Sequence, residues 1–383
     1  MRITHFCFSL DAFKGGVPNG VFMTASQLSK YGIRNQIVST GNTKRQLERN
    51  LSKIAELKAV GVEFNYSLSR WQNNYGLGSF ISLFKIINGM PRPDLIVLHQ
   101  IYTFSTILGY WYAKRNHIPY AVMPHGSLTK YHESDSRFKK TLAKKIIVSK
   151  ILLESNLIIV TCDSEKNDLA TLLQQKARII PYGAVFQNLM DGNPVISQST
   201  QRNLRIVFSG RFDKKKNLPM LIQSLPQVLD KYPELILDIA GSGSTKEVND
   251  VHQLVSSMQL EPSIQFHGWI GTERMRQLLA ASKLLVLPSE NENFAIVVAE
   301  ALSLGIPCVV SKFVGTSDIV AKHHAGEIIN DLTPSAIAAA VIKVLNGDEN
   351  VYRAAALKAN REDFDWAKIG MQWQKLIIDL AVE

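Results

Sequence analysis

Two glutamates, Glu292 and Glu300, stand eight residues apart in the segment Pro288-Ser-Glu-Asn-Glu-Asn-Phe-Ala-Ile-Val-Val-Ala-Glu-Ala-Leu-Ser-Leu-Gly-Ile-Pro307. An apolar strand ends at Pro288, a polar loop follows, and a helix is expected from about Phe294, with Gly305 and Pro307 as its stop signals. At roughly 1.5 Å of rise per residue the two backbones lie about 12 Å apart along the helix axis. Paired carboxylates that flank a single glycosidic bond are roughly 5–9.5 Å apart. The spacing therefore favours two carboxylates that grip separate parts of one long ligand. Backbone N–H groups at the helix start would meet an anion or a sugar oxygen. The competing reading is an ordinary amphipathic helix with two exposed glutamates; the strand, the loop and the Gly and Pro around the pair make it the weaker one.

Further groups suited to chemistry follow strand-like segments. In Ser209-Gly-Arg-Phe-Asp-Lys-Lys-Lys-Asn217 the cations come after a glycine turn and before a helix, a place suited to a diphosphate. Arg211 offers a bidentate fork and Lys216 a point charge, with Lys215 as the alternative lysine. His125, in Met123-Pro-His-Gly-Ser-Leu128, sits at a strand end, where either a cleft-facing or a satisfied structural histidine fits. Lys14-Gly15-Gly16, Gly241-Ser-Gly243 and His267-Gly268-Trp269-Ile270 read as turns where backbone approaches a ligand, or as turns alone. Asp163-Ser-Glu165 is a candidate metal pair. A helix start capped by Asp163 or Ser164 is favoured over it, because Arg211 and the lysines already supply positive charge. Glu133-Ser-Asp135 follows no strand and is weaker still.

These groups need a scaffold, and the chain repeats one. Ile3–Ser9, a glycine turn and a helix from about Val21 to Tyr31 form one opening unit. Arg205–Ser209, Gly210-Arg211 and a helix from about Leu218 to Asp230 form a second. Strand, glycine turn and helix open nucleotide-binding α/β domains. Further strands are expected at Leu95–Leu98, Tyr120–Met123, Leu157–Val160, Leu235–Ile239, Leu284–Leu287 and Cys308–Ser311, all short and apolar, as in parallel sheets covered on both faces. The expected domains are 1–185 and 204–363, joined by a polar, aperiodic linker at 186–203, with a last helix at 364–383.

Composition fits this plan. The 383 residues suit two domains, and 46% apolar with 20% charged residues is globular. The three cysteines, Cys7, Cys162 and Cys308, show no C-x-x-C spacing, which argues against disulfides or structural zinc and for a reducing cytosol. The N-terminus reads as a first strand rather than a signal peptide. The most apolar long window, Leu95 to Ala113, is broken by His99 and Gln100 and reads as strand plus helix rather than a membrane span. The net charge of +10 suits an anionic ligand, an anionic surface or both, and equally plain solubility. No motif supports nucleic-acid binding. Lys139, Lys140, Lys144 and Lys145 alternate with apolar residues at helical spacing, as in a surface helix or one resting on anionic lipid heads.

Taken together, the segment from Pro288 to Pro307 resembles the E-x7-E signature of retaining glycosyltransferase family 4, whose fold is GT-B, α/β with two Rossmann-like domains facing across a cleft. The stretch from Gly210 to Lys216 resembles that family's G-R-x(4)-K element, and Pro124-His-Gly126 its P-H-G element. The resemblance implies a retaining, metal-independent transferase with no cofactor, moving a hexose-type sugar from an NDP-sugar to a saccharide or lipid-linked saccharide in cell-surface polysaccharide synthesis. It would work in the cytoplasm, peripherally on the membrane's cytoplasmic face. The implied catalytic residues are His125 and Glu292 at the donor sugar and Arg211 and Lys216 at the diphosphate. Glu300 would bind the ribose, and Asn293 and Phe294 would present amides to the sugar. Gly16, Gly241, Trp269 and Ile270 would line the donor through backbone. Two departures stand out: Ala295 where the family often has Gly, and Tyr182 where Ile180-Pro-Tyr-Gly183 replaces a usual Asn. The runner-up functions are a GT-B-fold sugar-nucleotide epimerase and a non-catalytic nucleotide-sugar-binding protein.

Overall fold

The computed structural model describes residues 1–9, 16–42, 44–68, 80–129, 142–184, 186 and 204–382. The chain divides into two compact units, Met1–Tyr182 with Trp366–Glu383, and Gly183–Asp365. The linker expected at 186–203 lies outside the described residues, save for the buried Phe186.

The first unit is built on a seven-stranded sheet. Its strands are β1 (Arg2–Cys7), β2 (Arg34–Asn42), β3 (Glu63–Leu68), β4 (Leu95–His99), β5 (Tyr120–Met123), β6 (Leu157–Val160) and β7 (Ala177–Ile179). They lie in the order β3-β2-β1-β4-β5-β6-β7, and every pairing is parallel. The helices among them are α1 (Gly16–Lys30), α2 (Lys44–Arg49), α3 (Leu51–Ala59), α4 (Phe80–Gly89), α5 (Phe104–Arg115), α6 (Leu142–Glu154), α7 (Asp163–Asp168) and α8 (Thr171–Gln174). Strands β4, β5 and β6 are buried along their whole length, and apart from His99 at the end of β4 they read as apolar runs for that reason. Alternate residues feed two cores. Phe6 and Val38 pack with Leu83, Tyr112 and Ile151, while Cys7 and Ile37 pack with Val21, Phe22 and Leu57 on the other face.

The second unit repeats the plan with β8 (Arg205–Ser209), β9 (Ile236–Ala240), β10 (Ile264–Gly268), β11 (Leu284–Leu287), β12 (Cys308–Ser311) and β13 (Gly326–Ile329). Their order is β10-β9-β8-β11-β12-β13, again all parallel. Its helices are α9 (Leu218–Leu229), α10 (Thr245–Ser257), α11 (Thr272–Ala280), α12 (Ile296–Ser303), α13 (Ser317–His323), α14 (Pro334–Asn346) and α15 (Glu349–Asp363). Asp238 of β9, fully buried, is the electrostatic knot of this sheet. Arg205 Nε and Nη2 reach it at 2.6 and 2.5 Å, and His267 Nε2 at 2.6 Å. Removing one partner of such a buried pair costs about 3–5 kcal/mol.

Several expected bounds shift. The first helix begins at Gly16 rather than Val21, and the helix expected from Phe294 begins at Ile296. The terminal helix, α16 (Trp366–Val382), begins two residues later than expected, because Phe364 ends α15 and meets Phe294 edge-on at 5.8 Å. This last helix returns to the first unit, where Gln374 Nε2 donates to the Tyr31 carbonyl at 3.0 Å.

Candidate active site

In an open parallel sheet, ligands bind beyond the carboxyl ends of the strands, where the strand order reverses. In the second unit that switch point lies between β8 and β11, and the expected residues gather there. Beyond β8, Gly210 N–H donates to the Ala240 carbonyl at 3.0 Å and Phe212 N–H to the Ser242 carbonyl at 3.0 Å. Gly241 has φ +144°, and a Cβ on it would stand 1.8 Å from the Gly210 carbonyl oxygen, so only glycine lets the two loops close. Gly241 N–H in turn donates to the Gly268 carbonyl at 2.8 Å, which ties in the loop carrying the 46% exposed Trp269 and the half-buried Ile270.

A 3-10 turn, Lys214–Lys216, follows, and Asn217 in the left-handed region starts α9. Of the two candidate lysines, Lys216 is the one that meets Glu292. Its ammonium forms an ion pair with the Glu292 carboxylate, and both side chains are largely buried. The Lys215 carbonyl accepts from Glu290 N–H at 2.7 Å, a second tie between the loops after β8 and β11. Glu292 is also fixed through its backbone. Its N–H donates to the Phe313 carbonyl at 3.1 Å, and its carbonyl accepts from Gly315 N–H at 2.8 Å. The loop after β12 that supplies these contacts has no motif of its own, and the sequence reading passed over it.

Arg211 is more exposed than its position after β8 implied, at 57% of its side chain, and pairs with Asp213 at 2.8 Å. Both expected cations thus carry a carboxylate partner. Asn293 is half-buried and Phe294 buried at the entrance to α12, and Glu300 lies half-buried within that helix. Ala295 caps the helix in the left-handed region at φ +64°. The departure from glycine is therefore a real conformational cost, about 1–2 kcal/mol for an L-residue.

In the first unit, Gly16 is the exposed first residue of α1, and Lys14 and Gly15 lie outside the described residues, as does Glu133-Ser-Asp135. His125 follows β5 with φ +54°, and Gly126 after it has φ +76°. Both ring nitrogens of His125 are engaged, Nε2 with His99 Nδ1 and Nδ1 with the Tyr182 hydroxyl, each at 2.9 Å. Burial pushes the imidazole down to about 3, so the ring is neutral at physiological pH. Tyr182, left without a role by the sequence, is the neighbour that completes this arrangement.

The turn at His125 is held by Glu165. Its buried carboxylate accepts from Gly126 N–H at 2.6 Å, from Thr161 N–H at 2.9 Å and from the Thr161 hydroxyl at 3.0 Å. The cap expected from Asp163 or Ser164 is therefore made differently: neither side chain caps α7, Ser164 Oγ meets Cys162 Sγ at 3.2 Å, and Glu165 reaches back instead. With three donors on it, that carboxylate serves the loop.

Among the described residues one His–carboxylate group has metal-like spacing, His323 with Glu362 and Asp363. Asp363 already receives His323 Nε2 at 2.6 Å and Lys322 Nζ at 3.0 Å, the arrangement of a structural ion pair. The three cysteines are buried and free.

Comparison with known proteins places both units. The profile for glycosyl transferases group 1 matches residues 193–362, and that for glycosyltransferase family 4 matches residues 14–185. A D-inositol 3-phosphate glycosyltransferase of Corynebacterium glutamicum (strain R) is 22% identical over 385 residues, spanning 95% of this chain and 92% of that protein. An uncharacterized glycosyltransferase of Bacillus subtilis (strain 168) is 25% identical over 275 residues, 70% of this chain and 72% of its own. The structure resembles that of Anabaena HepE with a TM-score of 0.77 at 18% identity, covering 99% of this chain and 100% of that one. It resembles WaaG, a glycosyltransferase involved in lipopolysaccharide biosynthesis, with a TM-score of 0.68 at 14% identity, covering 98% and 99%. Two all-parallel sheets in the Rossmann order, the tied loops at the second switch point and profiles that match both units lead to one conclusion: the chain belongs to the family 4 glycosyltransferases of GT-B, two-domain α/β fold.

Proposed function

We propose that the protein transfers a hexose-type sugar, with retention of configuration, from an NDP-sugar to a hydroxyl of a saccharide or lipid-linked saccharide in cell-surface polysaccharide synthesis. The observation that carries this reading is the junction at the β8–β11 switch point, where the Lys216–Glu292 ion pair joins a glycine turn to a helix entrance. In the transfer the bond between the sugar and the diphosphate breaks, and negative charge grows on the departing diphosphate. Lys216 has three N–H donors, of which Glu292 takes one, and Arg211 adds a fork. Aimed at the charge that develops, such donors supply the largest electrostatic share of catalysis. Glu292 orients the sugar, His125 stands at the sugar with both ring nitrogens bonded within the protein, Glu300 holds the ribose, and the start of α12 turns amides toward the donor.

The related structures support a nucleotide-sugar donor. HepE has been solved with UDP, with UDP-glucose, and with UDP and glucose, and TarM with UDP and alpha-GlcNAc-glycerol. The cationic side chains do the electrostatic work of a metal, and the cytoplasmic face of a membrane is the proposed place of action. Screening nucleotide sugars for thermal stabilisation and then for transfer to saccharide acceptors tests the reading. Binding with transfer that persists in EDTA is expected. Loss of activity in EDTA, restored by Mn²⁺ or Mg²⁺, overturns metal independence. Binding with epimerisation alone, or with no turnover, selects one of the runner-up functions, and failure of every donor to bind removes the central claim.

A further inference from the structure

Five side chains in the first unit form one continuous line of hydrogen bonds across its sheet. Asn35 Oδ1 of β2 meets His5 Nε2 of β1 at 3.1 Å, and His5 Nδ1 meets His99 Nε2 of β4 at 2.9 Å. His99 Nδ1 meets His125 Nε2 at 2.9 Å, and His125 Nδ1 meets the Tyr182 hydroxyl at 2.9 Å. Successive rings lie close to parallel, with interplanar angles of 30°, 18° and 4°. Asn35, His5 and His99 are buried.

The polarity of this line follows from its inner end. Asn35 Nδ2 lies 2.7 Å from the Ile33 carbonyl, which only accepts, and 3.2 Å from Ser29 Oγ. That atom is therefore the amide nitrogen, and Asn35 presents its oxygen to His5. His5 must then donate from Nε2 and accept at Nδ1. Each neutral imidazole has one donor and one acceptor, so the assignment propagates. His99 donates from Nε2 to His5, His125 donates from Nε2 to His99, and the Tyr182 hydroxyl donates to His125 Nδ1. Burial keeps the rings neutral, with His5 lowered to about 4, His125 to about 3 and His99 well below its usual value. Tyr182 is raised by burial and by Glu165, so it keeps its proton. The outer end has room made for it. A Cβ at Gly20 of α1 would lie 2.5 Å from the Tyr182 ring and hydroxyl, so the aromatic ring rests on bare helix backbone.

We propose that Asn35, His5, His99 and Tyr182 are positioning residues that lock His125 as the neutral Nε2–H tautomer in one orientation, with neither ring nitrogen left to take up a proton. This rests on the transferase reading, in which His125 stands at the donor sugar, and goes beyond it by assigning what sets the state of that histidine. An amide cannot accept a proton in turn, so the line orients and does not conduct. It resembles the way a buried carboxylate fixes the tautomer of a histidine in a hydrolytic triad, with an asparagine and two further imidazoles in that place. Glu165, by fixing the turn at Gly126, holds the backbone to which the ring is attached.

Ring-nitrogen NMR of the uniformly ¹⁵N-labelled full chain tests this directly. His5, His99 and His125 should each be neutral with the proton on Nε2, and a proton on Nδ1 of any of them at neutral pH overturns the proposal. Tyr182→Phe keeps the packing on Gly20 and removes the last donor. It should shift the His125 ring signals and lower kcat about tenfold or more, as when the orienting partner of a functional histidine is lost, with donor KM within about twofold. Asn35→Leu should disturb the tautomer of His125 three side chains away, and Asn35→Asp, which keeps an acceptor, should restore it. If Tyr182→Phe and Asn35→Leu both keep wild-type kcat and His125 signals, the line is structural only and the proposal fails. If the wild type transfers no sugar from any donor, the transferase reading fails, while the ring spectra still decide the polarity of the line.

Discussion

At Lys216 the ammonium meets a carboxylate before it meets any ligand. A cation so paired is positioned without flexing, but part of its charge is spent on Glu292. Glu292→Gln keeps the shape and frees that charge. Binding of a nucleoside diphosphate should then tighten about threefold to tenfold, roughly 0.7–1.4 kcal/mol, while turnover falls because the sugar loses its orienting carboxylate. Calorimetry with the diphosphate beside steady-state kinetics separates the two, and weaker binding in the variant would show that Glu292 helps hold the diphosphate. Ala295 gives a second test. Its left-handed backbone costs about 1–2 kcal/mol. Ala295→Gly removes that cost but adds roughly 0.5–1 kcal/mol of backbone entropy and about 0.8 for a lost buried methyl. Stability should therefore stay within about 1 kcal/mol, whereas Ala295→Val, branched at Cβ, should lower it clearly. Thermal melts in which the valine variant matches wild type would show that the helix entrance is not strained.

Elements were legible where a single physical signal dominated. The runs Tyr120–Met123, Leu157–Val160, Leu284–Leu287 and Cys308–Ser311 are fully buried strands, and burial on both faces is what a short unbroken apolar run reports. Strand β2 was missed because Arg34, Asn35, Gln36 and Ser39 break its pattern, and Asn35 and Gln36 are buried for the sake of hydrogen bonds. The histidine line was invisible for the same reason, since His5 and His99 read as interruptions of apolar strands. Only the sheet order, which sets β1 beside β4, makes them neighbours. This placement has a consequence in acid. The folded values of His5, His99 and His125 lie below the unfolded value of about 6.5. Below that pH the unfolded chain binds more protons, so stability falls as pH drops from about 6.5 toward about 4, by up to about 1.4 kcal/mol per pH unit for each ring. Calorimetric melts taken down to about pH 5 should show this slope, shallower in His5→Leu. An identical slope in that variant would place the acid sensitivity elsewhere.

For the molecule as a whole, the net charge of +10 suits an anionic surface or ligand, and equally plain solubility. Of the lysines expected to face lipid, Lys139 and Lys140 lie outside the described residues, and Lys144 and Lys145 fall in α6. That helix exposes Ile146, Ile147 and Leu153, and α5 exposes Ile107 and Trp111. The two helices are tied by Glu154, which accepts from Tyr110 Oη at 3.0 Å and pairs with Lys114 at 3.0 Å and Lys150 at 3.8 Å. Exposed aliphatic and aromatic side chains among lysines are the composition of a face that rests in a headgroup layer, and no described helix is long and apolar enough to cross a membrane. Each lysine near an anionic surface contributes about 1 kcal/mol, less as salt shortens the Debye length, so four would give reversible docking. A lipid-linked acceptor would be met at that surface. In co-sedimentation the wild type should bind anionic vesicles at low salt, release at high salt, and bind far less after Lys139, Lys140, Lys144 and Lys145 are all changed to Glu. Ile146→Ser with Ile147→Ser should weaken binding at both salt concentrations, because their contribution is apolar. Binding that is absent, or indifferent to both sets of changes, would assign the enzyme a soluble acceptor or another docking surface.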